Sequence, residues 1–253
     1  MQSAVEKFIL PLFVVLFLLA GWHYAVLISG NTIFPTPVQV VWGIAELFRQ
    51  GVLLKYLVAS LFRVAIGFSL AILVGIPMGM LLGWFRYAFH ALNPIVQILR
   101  PISPIAWIPL AILWFGITDM APIFLIFLAS VFPIMTSTMI AVQNLPLIYV
   151  RAAKNFGVTG FALFRQVIFP AALPQIISGI RIALGIAWLV VVAAEMIAVD
   201  SGLGYLIIDA RNAGKRYDLV VAGMVLIGIT GLILDFLVRR LENLDEVRWG
   251  FGK

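Results

Sequence analysis

Long apolar runs separated by short polar segments form the pattern of this sequence. Each run approaches or exceeds the ~20 residues that an α-helix needs to cross a bilayer. The pattern predicts six spans, at about residues 8–29, 56–84, 92–115, 120–142, 173–199 and 218–238. A transmembrane β-strand would alternate apolar and polar residues, whereas these runs are continuous. We therefore expect an all-α, polytopic membrane protein with about six transmembrane helices.

The composition supports this fold class, because 63% of the 253 residues are hydrophobic and only 11% are charged. A soluble domain carries about 25% charged residues. The sequence contains no Cys, which excludes disulfides and Cys-based metal sites, and no other metal site is predicted. No linker or low-complexity tract divides it, so residues 1–253 are expected to form one transmembrane domain. The first apolar run lacks a cleavage site and is expected to be a retained helix.

Lys and Arg residues are distributed unequally between the two sides of the membrane. With the N-terminus inside, eleven of them fall on the inner side and six on the outer side. Because positive residues favour the cytoplasmic side, we expect both termini in the cytoplasm. The loop at about 143–172 is then cytoplasmic, and segments 30–55 and 200–217 are outside. The outer segment 30–55 is expected to hold an interfacial helix at about 38–48. The net charge of +6 is assigned to topology rather than to nucleic-acid binding.

The loop at about 143–172 has the pattern of a docking segment. Four apolar positions recur at i, i+3, i+4 and i+7 and predict one helix face: Tyr149, Ala152, Ala153 and Phe156. Gly157 follows, where a helix-ending residue with positive φ is wanted. A second short helix is predicted at about 161–169, before Pro170. Such a face suits a partner's groove or the lipid headgroups, and the pattern alone leaves both possibilities open.

The spans carry their own candidate positions. Gly75, Gly79 and Gly83 form overlapping GxxxG steps, which predict close helix packing either within the chain or between subunits. Four prolines between residues 94 and 109 break the third span, so residues 100–109 are expected to line a pathway or form a gate, or else to be a kinked packing helix. The candidate pathway residues are Arg63, Arg100, Ser103, Pro104, Trp107, Trp188 and Glu195.

Ionisable residues inside spans are costly and are often functional. Arg63 is expected to pair with Glu195 or to attract an anionic solute, and pairing is the preferred interpretation. Asp235 is expected to pair with Arg239, which lies four residues later on the same helix. Arg181 is expected to support the loop or a subunit interface.

The loop motif and several span motifs resemble a known family. The loop carries Ala152–Ala153, Gly157 and then Val167–Pro170, a pattern that resembles the cytoplasmic "EAA" loop of permease subunits in binding-protein-dependent ABC importers. Arg151 stands where the family's loop has its named Glu. Other stretches are similar to the nitrate, sulfonate and taurine (bicarbonate) branch: Phe34–Pro37, Ser60–Arg63, Arg100–Pro109, Trp114–Gly116, Ala193–Met196 and Ser201–Gly204.

The resemblance implies a type I ABC importer permease fold and a multi-pass subunit of the bacterial inner membrane. It implies two separate ATPase subunits, a second permease copy (a homodimer), a periplasmic or lipoprotein substrate-binding protein and surrounding membrane lipid. The ATPase-coupling residues would be Tyr149, Arg151, Ala152, Ala153, Phe156, Gly157, Phe164 and Pro170. No phosphate-loop motif occurs, so ATP and Mg would bind the partner subunits and this chain would bind no cofactor. The solute would be a small anion moved by alternating access.

Two other function classes remain as alternatives. A membrane-embedded enzyme would need a nucleophile or a metal set, and the sequence has no HExxH, no GxSxG and only two His residues. A stand-alone secondary carrier or channel for a small anion would work without ATPases and would be expected to show inverted repeats, which the sequence does not display by inspection.

Overall fold

The computed structural model describes residues 4–30 and 33–243, and most of them are helical. The α-helices are α1 (Ala4–Ser29), α2 (Pro37–Arg49), α3 (Val52–Trp84), α4 (Arg86–Leu99), α5 (Ile108–Phe115), α6 (Met120–Gln143), α7 (Leu147–Asn155), α8 (Gly160–Leu163), α9 (Phe169–Ala198), α10 (Leu203–Gly214) and α11 (Tyr217–Arg239). Short 3-10 turns lie at Pro104–Trp107 and Arg240–Asn243, and a π-helical segment spans Phe164–Ile168.

Five helical stretches in the described residues are long and apolar enough to cross a membrane, and a sixth span exists if one bent pair is counted. That pair is α4 and the segment Pro104–Phe115, which meet at 82°. The third predicted span is therefore two helices rather than one. Pro101 and Pro104 lie in the break, where a ring without an N–H disrupts the helical ladder. Pro109 is tolerated because it lies in the first turn of α5.

The centre of the fold is the packing of α3, α6 and α9. Small residues on α3 allow α6 to approach closely. A Cβ at Gly75 would lie 3.0 Å from the Ile134 side chain, and one at Gly79 would lie 2.5 Å from the Met135 carbonyl oxygen. A Cβ at Gly83 would lie 2.6 Å from Val142. The three glycines thus face α6 of the same chain, which is the intramolecular alternative of the GxxxG pattern.

The fifth span begins earlier than its hydrophobic pattern indicates. Helical structure continues from Gly160 through the π-helical segment into α9, so the second half of the 143–172 loop is the first part of this long helix. Pro170 lies inside the helix instead of ending it. The wider π turn comes directly before Pro170, at the place where the ring cannot donate a backbone hydrogen bond.

Two helices outside the spans pack on α11. The predicted interfacial helix is α2, and Thr36 caps it by a reciprocal bond with Gln39. The second, α10, lies in the segment 200–217. The polar residues of that segment predict only a connection between spans. Its buried side chains follow helical spacing: Leu203, Leu206, Ile207 and Ala210. That spacing is visible in the sequence, so the helix was predictable.

Candidate functional site

The helix α7 lies at the end of the bundle where α3 and α6 finish, anchored by one buried residue. Val150 packs into a cluster with Met80, Val142 and Ile168. The outer face of α7 carries Tyr149, which is 48% exposed, together with Ala152 and Arg151. Phe156 follows directly after α7 and is 87% exposed. Burying a Phe is normally favourable by about 1.5–3 kcal/mol, so this exposed ring is suited to a contact outside the chain.

In the structure, the residues of the predicted apolar face of the loop do not all lie on the same side of α7. Ala153 is half-buried and packs with Val150 toward the bundle, whereas Ala152 and Tyr149 point away from it. Tyr149, Ala152 and Pro170 line a shallow groove of about 410 Å³ between α7 and the start of α9. Phe164 is half-buried beside this groove and stacks with Phe161 at 6.3 Å between ring centroids.

Gly157 ends α7 in the left-handed conformation that its position indicates. Its φ is +80°, and its N–H donates to the Lys154 carbonyl at 2.9 Å. No heavy atom lies within 4 Å of the place where a Cβ would stand. The glycine is therefore required by backbone conformation and not by space.

A buried ionic network occupies the opposite end of the bundle. The Arg63 side chain, 1% exposed, donates from Nη1 to Glu195 Oε1 at 2.7 Å and from Nε to Asp119 Oδ1 at 2.8 Å. Nη1 also donates to the Ser201 carbonyl oxygen at 2.7 Å, and Nη2 donates to Ser201 Oγ at 2.6 Å. The Arg63–Glu195 pair is the expected one. Asp119 was not predicted, although it is the only acidic residue in the sequence between Glu46 and Glu195.

The Glu195 carboxylate is enclosed by donors from two helices, α3 and α10. Besides Arg63, it accepts from Ser60 Oγ at 2.8 Å and from the Gly204 backbone N–H at 3.0 Å. Ser60 also accepts from the Leu203 N–H at 2.9 Å. Gly202 has a φ of +107°, and a Cβ there would overlap the Glu195 carboxylate. The network therefore joins α3, α9 and the start of α10 around one buried charge.

The other predicted pathway residues fall into two groups. Trp188 is 6% exposed, and its Nε1–H donates to the Ile227 carbonyl at 3.0 Å, so it joins α9 to α11 in the interior. Arg100 and Ser103 are exposed at the break in the third span, and Pro104 and Trp107 are half-buried beside it. The structure thus brings the residues at the break together and places Arg63, Glu195 and Trp188 in packed contacts.

A second charge cluster joins α9 to α11 near the α7 end. Arg181 donates to both Asp235 oxygens, at 2.7 and 2.9 Å, and to Glu242 at 3.1 Å. The expected Asp235–Arg239 pair is wrong, because Arg181 approaches from α9 and bonds both oxygens of the Asp235 carboxylate.

The sequence matches the family of binding-protein-dependent transport system inner membrane components over residues 71–244. The chain belongs to this family. The permease is similar to the nitrate import permease protein NrtB of Synechocystis sp., with 37% identity over 248 residues, covering 94% of this chain and 89% of NrtB. It is also similar to the taurine transport system permease protein TauC of Escherichia coli, with 35% identity over 230 residues, covering 88% of this chain and 82% of TauC.

The fold of the permease is also similar to that of a solved structure. A chain of the inward-facing MetNI methionine ABC transporter matches with a TM-score of 0.63 and 20% identity, covering 72% of this permease and 91% of that chain. This likeness shows the type I ABC importer permease fold. The family and the branch indicated by the loop and span motifs are confirmed.

Proposed function

We propose that the chain is the transmembrane permease subunit of an ATP-driven importer for a small anion. Two separate ATPase subunits bind α7 and its groove and hydrolyse ATP. A periplasmic or lipoprotein substrate-binding protein delivers the solute at the Arg63 end, and the permease passes it by alternating access. The α7 end then faces the cytoplasm and both termini are cytoplasmic, in the bacterial inner membrane. The observation that carries this proposal is the exposed face of α7, held from below by Val150 and ended by Gly157.

Two observations support an anionic solute. The relatives NrtB and TauC are named for nitrate and for taurine, which carries a sulfonate. Between residues 47 and 194 the sequence has nine Lys and Arg residues and one acidic residue. Much of this excess follows the topology, and Arg63 and Arg181 are paired with carboxylates. Within the described residues, however, no ion pair neutralises Arg86 or Arg100. Their positive charge favours the passage of anions over cations.

A second copy of the permease has an available face on α9. Gly185 has no heavy atom within 4 Å of a Cβ position, and Ile182 and Leu189 are 62% and 72% exposed on the same side. These residues are spaced at three and four positions, so they form one stripe of a helix whose other faces pack on α6 and α11. The stripe supports a homodimer with the solute pathway between the copies.

The substitution Gly157→Val tests the coupling function. A β-branched residue at φ +80° is strongly disfavoured, so the end of α7 must change its conformation. We expect loss of ATPase association and of uptake, with membrane insertion retained. Gly51→Val is the matched control, because Gly51 has a φ of +70°, an equally open Cβ position and a location before α3 at the opposite end.

The readouts are co-purification of the tagged permease with the nucleotide-binding subunit of the same transporter and ATP-dependent uptake in membrane vesicles. ATPase binding by Gly157→Val equal to that of Gly51→Val would contradict the docking role of α7. Uptake by vesicles that contain the permease but no ATPase subunit would favour a stand-alone carrier instead.

A further inference from the structure

The polar residues of α4 all lie on one side of this helix. They are Arg86, His90, Asn93, Gln97 and Arg100, the last of which caps the helix with helical φ and ψ. At 3.6 residues per turn, their spacing places them within an arc of about 80°. The side opposite this arc is apolar and carries Ile95 and Ile98. We call the five polar residues the α4 stripe.

Within the described residues, the side chains of the α4 stripe form no ion pair, and only Asn93 is half-buried. None of the residues of α4 is buried, and Arg86, His90, Gln97 and Arg100 are all exposed. Within residues 4–30 and 33–243, no carboxylate lies within 4 Å of Arg86 or Arg100. The one carboxylate available between residues 47 and 194 is Asp119, which pairs with Arg63.

The stripe runs from the α7 end of the bundle toward the break in the third span. Arg86 and His90 line an open pocket of about 620 Å³, together with Gln143 at the end of α6 and Val150 of α7. Arg100 lies about 20 Å further along the helix at 1.5 Å per residue. Directly after the break, the turn Pro104–Trp107 packs on α6 and α9.

A polar stripe of this length cannot face lipid at low cost. Unpaired Arg residues within a membrane segment face a partner or a water-filled cavity. The described residues supply no charged partner for the stripe. Its Arg86 end opens into the pocket, and its Arg100 end lies beside Ser103 at the break. The stripe is therefore placed to line water.

We infer that the α4 stripe is the water-facing wall along which a small oxyanion, a nitrate or a sulfonate, moves between the break at residues 100–103 and the pocket beside α7. This inference rests on the proposed function and names residues that carry it out. Guanidinium groups bind planar or tetrahedral oxyanions through two parallel N–H bonds. Arg86 and Arg100 stand at the two ends, and the amides of Asn93 and Gln97 lie between them. Several weak sites in series allow an ion both to enter and to leave.

The absence of Cys from the sequence makes the stripe directly testable. Single substitutions His90→Cys and Gln97→Cys place a thiol on the stripe, and Ile95→Cys and Ile98→Cys place one on the apolar side. The last two positions are 53% and 69% exposed, so their reactivity reports surroundings and not burial. Each full-length variant is reconstituted in phosphatidylcholine vesicles and treated with an anionic sulfonate thiol reagent or a cationic ammonium thiol reagent.

We expect His90→Cys and Gln97→Cys to react, and to react about tenfold faster with the anionic reagent, because clustered positive charge concentrates anions. Adding Arg100→Gln should abolish this preference at Gln97→Cys, four residues away, more than at His90→Cys. Adding Arg86→Gln should instead reduce the preference at His90→Cys more than at Gln97→Cys. In each case the thiol further from the substituted arginine lies beyond a screening length of about 8–10 Å. Reaction on the apolar side at the same rate, or no preference between the reagents, would overturn the inference.

The same assay distinguishes a free anion from a lipid headgroup as the source of the oxyanion. Slowing of the anionic reagent by millimolar nitrate in phosphatidylcholine vesicles supports a path for free anions. Slowing by added phosphatidylglycerol but not by nitrate would show that headgroups occupy the stripe, which overturns the path. The labelling experiment requires no ATPase, so it tests the α4 stripe separately from coupling. The inference about the stripe can fail while ATP-dependent uptake succeeds, and it can hold while the coupling proposal fails.

Discussion

Adding one methyl group at Gly79 measures how closely α3 and α6 pack. The new Cβ would lie 2.5 Å from the Met135 carbonyl oxygen and 2.6 Å from Thr138 Cβ. Ordinary carbon–oxygen contacts begin at about 3.3 Å, so the α6 backbone must move by about 0.8 Å. The closest obstacle is backbone, which no change of rotamer can relieve.

The matched control is Gly228→Ala, because Gly228 lies in the middle of α11 with no heavy atom within 4 Å of a Cβ position. Both substitutions gain the same helix propensity, about 1 kcal/mol. Their difference therefore isolates the overpacking cost, for which we expect about 1–3 kcal/mol against Gly79→Ala. Gly75→Ala should lie between them, since its Cβ would lie 3.0 Å from Ile134 Cγ2 and 3.1 Å from the Val131 carbonyl oxygen, a smaller overlap than at Gly79.

The measurement is the free energy of unfolding of the purified chain, titrated with SDS in mixed micelles and followed by helical circular dichroism. The expected order of stability is Gly228→Ala, then Gly75→Ala, then Gly79→Ala. If Gly79→Ala were as stable as Gly228→Ala, α3 and α6 would not be in the contact described, and the GxxxG steps would have to serve a subunit interface.

Two further changes test the charge networks. Arg63→Met leaves Glu195 buried without a counter-charge and should lower the free energy of unfolding by about 3–5 kcal/mol. In the same SDS titration, the double change Arg63→Met with Glu195→Leu should restore most of the lost stability. Equal stability of Arg63→Met and the parent chain would contradict the network. The hydrogen bond from Arg216 lowers the pKa of Glu46 below its ordinary value of 4.5, so the tie between α2 and α11 is complete above that value and is lost as pH falls through the lowered pKa. Spin-label distances between these helices should lengthen on acidification below pH 4.5, and the loss of that change in Glu46→Gln is the control.

Much of the architecture is predictable because it depends on neighbouring residues. Apolar length places the spans, and the spacing of Tyr149, Ala152, Ala153 and Phe156 predicts the helix α7. The requirement for φ above zero at Gly157 follows from its position after a helix. The prediction of orientation from Lys and Arg between the apolar segments likewise needs no knowledge of tertiary contacts.

The beginning of the fifth span shows where local pattern fails. The sequence predicts a separate short helix at about 161–169, before Pro170, and a span that starts at about 173. The helix instead continues from Gly160 through Pro170 into α9, because a π turn accommodates the proline and Leu163 and Ile168 are buried against α7 and α6. Composition reports the average polarity of a segment, whereas the tertiary structure decides which of its faces is covered.

The sequence by itself determined an all-α membrane permease, the helix α7 and an excess of positive charge, since these properties belong to short stretches of chain. The Arg63–Glu195 pair, 132 residues apart, is the preferred of two interpretations of the sequence. Only the tertiary structure decided that Arg63 also meets Asp119, 56 residues away, and that Asp235 pairs with Arg181. Ion pairs between distant residues depend on how helices pack, and many pairings satisfy the same charges. The packing of α3, α6 and α9 selects one of them.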